Sequence, residues 1–151
     1  MEASSYQLEY SRLFRSKHAA LLNISPDHLE RHGNIKNYIK IKSKIFFAQN
    51  KSDYSYVNID TKYSKYIKHI FKSKKIKSKL ILVSKLNCKK LIGKIENQYF
   101  KSKGNIENFS FAYKIAKNLK INDKIIIKAI KSFKGLNHRQ ETVFSNSKIL
   151  C

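Results

Sequence analysis

At 151 residues, 42% apolar and 12% aromatic, the chain is long enough for one ordinary domain with a real core. Thirty-two Lys and Arg against ten Asp and Glu give a formal charge of +22, the balance of a nucleic-acid binder. No long uncharged apolar run or signal-peptide pattern is present, which excludes a membrane span, and Cys88 and Cys151 have no metal-ligand or CxxC spacing, which suits a reducing cytoplasm.

The charge is diffuse. Twenty-eight lysines lie along the chain rather than in one tract, beside abundant Ile and Asn, with four Gly, one Pro and no Trp. AT-rich coding produces that pattern without selection for a partner. Most of the charge therefore reads as solvated surface, and no nucleic-acid partner is expected.

In chain order, Glu2 precedes Ser4-Ser5 and a short helical pattern with Tyr6, Leu8, Leu13 and Phe14, ending in a basic run to His18. The apolar run from Ala19 to Asn23 predicts a buried strand, handing its C-terminal end to a polar turn with Pro26, Asp27 and His28. In open α/β sheets ligands sit at the carboxyl ends of strands. An Asp-His pair there is either a cap with a solvated imidazole or a ligand site. After Gly33, Asn34 caps a predicted helix over Ile35–Phe47, in which Tyr38, Ile41, Ile45 and Phe46 recur at helical spacing. Lys42 lies one residue past Ile41, where a lysine ordinarily snorkels. Tyr54–Asn58 predicts the next strand. Thr61–Phe71 predicts a helix with Tyr63, Tyr66, Ile67 and Ile70 on one side. A lysine-rich turn leads to a strand over Lys79–Ser84, and the alternation of Leu91–Phe100 predicts a hairpin or edge pair. Asn105 starts a helix through Leu119 with Ile106, Phe109, Ala112, Ile115 and Ala116 buried. Asn122 or Asp123 caps another through Phe133, with Gly135 as a C-cap. Gln140–Phe144 and Lys148–Cys151 predict two strands around Ser145-Asn146-Ser147. His18, His32 and His69 read as exposed basic surface.

Taken in order, EASSYQLE, LLNISPDHLERHG, YIKIKSKIF, GNIEN and GLNHRQE resemble the Mur ligases of peptidoglycan synthesis. Within that family, SSYQLE and GLNHRQE favour the branch that adds D-glutamate over those adding alanine, a diamino acid or a dipeptide. The resemblance implies an α/β fold, a mostly parallel sheet flanked by helices with a small β hairpin region. It implies an incomplete central ATP-binding domain over residues 1–138, truncated at both ends, and the start of a C-terminal ligase domain over 139–151. It further implies a cytoplasmic enzyme, monomeric when full length, using ATP and Mg2+ to join D-glutamate to UDP-N-acetylmuramoyl-L-alanine through an acyl phosphate.

Such chemistry needs cations around the transferring phosphoryl group. By resemblance, Glu2 holds Mg2+ near the ATP γ-phosphate and His28 helps bind a second metal ion. Lys42, four residues after Tyr38, aligns with a lysine that becomes a carbamate and can then ligate Mg2+; Lys40 and Lys44 are its near alternatives. Asn105 and Asn108 match asparagines near the adenine, although Asn105 also suits a helix cap. Arg139 matches a nucleotide-binding arginine, and Ser4, Ser5 and Gln7 match the substrate side.

There are departures. Gly104 stands where the family usually has histidine, Asn137 replaces a common proline, and no glycine-rich Gly-Lys-Thr/Ser phosphate loop occurs in the sequence. The resemblance therefore implies a central-domain fragment that begins after that loop, inactive alone and marginal in folding. Two other readings stand beside it: another amide ligase of this kind, including the folylpolyglutamate synthases, and a small basic nucleic-acid-binding protein.

Overall fold

The computed structural model describes residues 1–93 and 95–135 and forms two compact units, Met1–Lys85 and a second beginning at Leu86. The expected strands after Gln140 and the boundary at 138/139 lie outside the described residues.

The first unit is a three-stranded parallel sheet in the order β1-β2-β3, with β1 His18–Leu21, β2 Tyr54–Asn58 and β3 Lys79–Val83. Parallel neighbours need crossover connections, and helices supply them. Between β1 and β2 run α2 (Leu29–His32), α3 (Ile35–Lys42) and a 3₁₀ turn (Ser43–Phe46); between β2 and β3 runs α4 (Ser64–Ser73). The helix expected over Ile35–Phe47 thus occurs as α3 tightening into 3₁₀, where the Ser43 hydroxyl donates back to the Ile39 carbonyl at 2.7 Å. A fourth helix of the unit, α1 (Ser5–Tyr10), precedes the sheet.

Residues two apart share a sheet face, so Ala19, Leu21 and Val57 point together onto Ile39, Phe46, Ile67, Ile70 and Phe71. Tyr63 and Tyr66 pack partly buried against this cluster, on the side of α4 that the spacing predicts. Phe46 is 0% exposed, with its ring 5.1 Å from that of Phe71.

A polar clamp fixes the amino ends of the three strands. Gln49 donates to the carbonyls of Ser16 (2.8 Å) and Tyr54 (3.1 Å), and Ser55 bonds both Gln49 Oε1 and Ser78 Oγ. Asp53, 1% exposed, accepts from Arg15 Nε at 2.8 Å and from the Asn50 amide at 2.8 Å, while its carbonyl accepts from the Lys79 amide. A buried carboxylate is tolerated only when bonded in this way. His18, expected at the surface, is instead half-buried: its ring stacks on Tyr54 at 5.1 Å and its Nδ1 lies 3.0 Å from the Tyr56 hydroxyl.

The second unit contains α5 (Lys89–Ile92), a 3₁₀ turn (Gln98–Lys101), α6 (Lys103–Asn118) and α7 (Asp123–Ser132) around Cys88, Ile95, Phe100, Phe109, Ile126 and Ile130. Ser102, not Asn105, caps α6, accepting from the Asn105 amide, and Asn122 caps α7. Ala112, expected in the buried stripe of α6, is exposed, whereas Phe111 is buried. The hairpin expected over Leu91–Phe100 is absent among the described residues. Leu91, Ile92, Ile95 and Phe100 all pack on one helical cluster, and Asn97 Nδ2 donates to the carbonyls of Ile130 and Phe133 at the end of α7. Burial on one side overrides the alternation. Phe133, rather than Gly135, is the C-cap of α7; Gly135 has φ +98°, and a Cβ there would lie 3.1 Å from the Tyr99 ring.

Phe46→Ala should cost about 3–5 kcal/mol, read from chemical denaturation. The Arg15 hydrogen bonds and then the Asn50 amide hold the Asp53 carboxyl below its ordinary value. Its contribution to stability is therefore full above about pH 3.9 and is lost as pH falls through the lowered value. Asp53→Asn should destabilise the chain at neutral pH, and the gap to the wild type should close in strong acid.

Candidate active-site cleft

Ser4 initiates α1 with a capping box: its hydroxyl accepts from the Gln7 amide at 3.2 Å, and Gln7 Oε1 accepts from the Ser4 amide at 2.9 Å. The same helix turns Ser5 and Leu8 inward. After β1 the chain reaches Asp27 and His28, where His28 takes a left-handed φ of +50° and its amide donates to Asp27 Oδ1. A non-glycine residue in that region needs support from its surroundings. The His28 ring receives it from three sides, with Asp27 at 3.4 Å from Nε2, and Tyr6 Oη at 3.4 Å and Glu30 at 3.7 Å from Nδ1. Gly33, at φ +74°, then turns the chain into α3, which Asn34 caps by accepting from the Asn37 amide.

These three segments enclose a cleft of about 430 Å³. Glu2, Ser4, Ser5, Gln7, His28 and Lys42 all line it, as do Asp27 and Tyr38. Asp27 is the acidic member of the Asp-His pair weighed as a ligand site, whereas periodicity places Tyr38 only in an apolar stripe. Spacing contained the signal for Tyr38, since i and i+4 share a helix face and Tyr38 stands four before Lys42. The Lys42 ammonium lies 5.9 Å from the Tyr38 ring centroid. Burial, with the Asp27 carboxylate adding to it, pushes the Tyr38 phenol above its ordinary pKa.

Among the three neighbouring lysines, only Lys42 lines the cleft. Lys40 is exposed, and Lys44 Nζ donates to the Glu9 carbonyl at 2.6 Å. Arg31 makes a second tie to α1, bonding Glu9 Oε2 and the Tyr10 hydroxyl. A third comes from His32, which is 5% exposed rather than at the surface, its Nε2 lying 3.1 Å from Ser5 Oγ. His69 is exposed, as expected.

Among the described residues no cluster of three or more His, Cys, Asp and Glu could hold a metal ion. Glu2 and Asp27 do supply oxygen ligands in one cleft. Magnesium is ordinarily bound by one or two carboxylates, with waters and phosphate oxygens completing its shell. The donor set fits a hard ion shared with solvent and substrate, not a closed protein cage.

In the second unit, Asn105 and Asn108 border an apolar groove of about 450 Å³, walled by Tyr99, Phe100, Phe109, Tyr113, Ile126 and Phe133. Asn105 is buried, and its Nδ2 donates to the Tyr99 carbonyl at 2.6 Å; Asn108 is exposed. Arg139 lies outside the described residues. No helix among the described residues is long and apolar enough to cross a membrane.

A parallel sheet with helical crossovers thus carries, beyond its first strand, a cleft lined by carboxylates, an imidazole and a lysine. The match to the Mur ligase middle domain runs over residues 1–129, and the chain belongs to that family. It is 34% identical over 99% of its length to the UDP-N-acetylmuramoylalanine–D-glutamate ligase of Rickettsia felis, covering 36% of that protein. It is 34% identical over 93% of its length to the same ligase of Rickettsia bellii, and 35% identical over 94% to that of a Thermoanaerobacter species, covering 35% and 34% of them. The chain thus spans about a third of the length of these relatives.

Lys44→Met keeps the aliphatic stem but removes the donor to Glu9. The α1 amides should then exchange with deuterium on the order of tenfold faster, from the loss of one charged hydrogen bond. Exchange in the sheet should stay unchanged.

Proposed function

We propose that this chain is the catalytic-cleft portion of an ATP-dependent ligase that adds D-glutamate to UDP-N-acetylmuramoyl-L-alanine by way of an acyl phosphate. The observation that supports the reading most is the meeting of Glu2, His28 and Lys42 on one cleft, from segments 26 and 14 residues apart in sequence. The names of the three relatives support the amino acid. The rest of the enzyme, including a phosphate-binding loop absent from this sequence, is required for turnover, so the 151 residues alone are inactive and bind ATP weakly.

In this reading Glu2 and Asp27 are the carboxylates that hold Mg2+, with His28 beside them. When bound, the ion neutralises charge developing on the transferred phosphoryl group. Lys42, in its neutral form, attacks carbon dioxide through Nζ, forms the N–C bond and releases one proton, leaving a carbamate anion. The carbamate converts a cation into an oxygen donor beside the two carboxylates. Ser4, Ser5 and Gln7 form the substrate side. Asn105 and Asn108 stand at the rim of an apolar groove suited to a flat adenine ring, Asn108 offering its amide to the ring edge and Asn105 shaping the wall. Arg139 is assigned to nucleotide oxygens.

The test uses the chain in 13C-labelled bicarbonate. One carbamate carbon signal should appear in wild type, persist in Lys40→Arg and Lys44→Arg, and vanish in Lys42→Arg. A signal that survives the last substitution refutes the assignment of Lys42. Substrate-dependent phosphate release should be undetectable from the isolated chain; measurable turnover would show the missing segments to be dispensable.

A further inference from the structure

His32 carries a feature that the proposed chemistry does not use. It is 5% exposed and Ser5 is 2% exposed, and the two meet through Nε2 and Oγ at 3.1 Å across 27 residues of sequence. Nδ1 is buried without a hydrogen-bond partner among the described residues. The ring is packed between aromatic neighbours, 5.5 Å from the Tyr38 centroid and 5.9 Å from that of Tyr6.

A neutral imidazole holds one proton on one of its two nitrogens. With the proton on Nδ1, a buried N–H would face no acceptor. With the proton on Nε2, the unmet group is a lone pair, and buried orphan donors are rarer in folded proteins than under-satisfied acceptors. The Nε2–H form also makes a defined bond, with His32 donating and Ser5 Oγ accepting. Its direction has a consequence for Ser5, because a hydroxyl that accepts from one side still has its own proton to donate. Ser5 lines the cleft beside Lys42 and Tyr38, so that proton is available to a ligand there.

We propose that His32 is a positioning residue, held as the Nε2–H tautomer, that turns the Ser5 hydroxyl into a fixed donor for an anionic oxygen bound in the cleft. For its catalytic meaning this rests on the ligase reading above; the hydrogen bond and its direction do not. The ligand chemistry is an oxyanion, and a carboxylate or a phosphoryl group supplies it equally well. Donors fixed before a ligand arrives need no reorganisation when it binds, which is how such a hydroxyl contributes more than a freely rotating one.

The experiment is long-range proton–nitrogen NMR on the 15N-labelled 151-residue chain, above the ordinary imidazole pKa of about 6.5. His32 should show a protonated Nε2 and a bare Nδ1; protonated Nδ1 overturns the proposal. Addition of inorganic phosphate or acetate should shift the His32 Nε2 and Ser5 amide signals. Response to phosphate alone assigns a phosphoryl oxygen, response to acetate alone a carboxylate, and response to neither overturns the donor role. Ser5→Ala should abolish the response while the melt remains cooperative. His32→Gln, which keeps a side-chain N–H, should retain the response, and His32→Leu should weaken the apparent affinity about tenfold. Equal affinity in those two variants reduces His32 to packing and sinks the proposal. None of these readouts needs ATP turnover, so an inactive ligase leaves them interpretable.

Discussion

The cleft depends on a six-residue helix being held in place by side chains far from it in sequence. A helix as short as α1 is marginal alone, because the entropy of its first turn is recovered by few hydrogen bonds. Lys44 bonds the Glu9 carbonyl, Arg31 bonds the Glu9 carboxylate and the Tyr10 hydroxyl, and His32 meets Ser5. These three ties run from α2, and from the turn that ends α3, back to α1. With the Tyr6–His28 contact and the buried Leu8, they fix Glu2, Ser4 and Ser5 relative to His28 and Lys42.

The sheet gives those ties a frame. Gln49 and Asp53 lock the amino ends of β1, β2 and β3, which leaves the carboxyl end of β1 to feed the loop bearing Asp27 and His28. Polar groups buried at one end of the strands thereby set the position of a charged site beyond the other. The arrangement follows the general rule that open parallel sheets bind ligands at the carboxyl ends of their strands.

The net charge of +22 is the property of the composition most easily misread. The cleft concerns a few residues, whereas the charge is spread over many. Nothing in the cleft chemistry draws on the exposed lysines of α4, Lys65, Lys68 and Lys72. Solubility and non-specific attraction follow from such charge, but fold and reaction class do not.

The amino-acid sequence by itself indicated three strands, over Ala19–Asn23, Tyr54–Asn58 and Lys79–Ser84, which form as His18–Leu21, Tyr54–Asn58 and Lys79–Val83. It also indicated the Asn34 cap, a cap at Asn122 or Asp123, and the apolar side of α4; on α3 it indicated Tyr38 but not the fully buried Ile39. Each feature so indicated is written in local periodicity or in a cap that bonds within three residues. It also carried the motifs that place the chain in its family. Only the tertiary structure decided that Lys42 lines the cleft while Lys44 is bound to Glu9, that His32 is buried on Ser5, and that Leu91–Phe100 coils against helices instead of forming a hairpin. Those outcomes turn on contacts between residues distant in sequence, or on which side of a segment finds a partner. Period and propensity describe a segment's faces, but burial depends on what the rest of the chain brings against them.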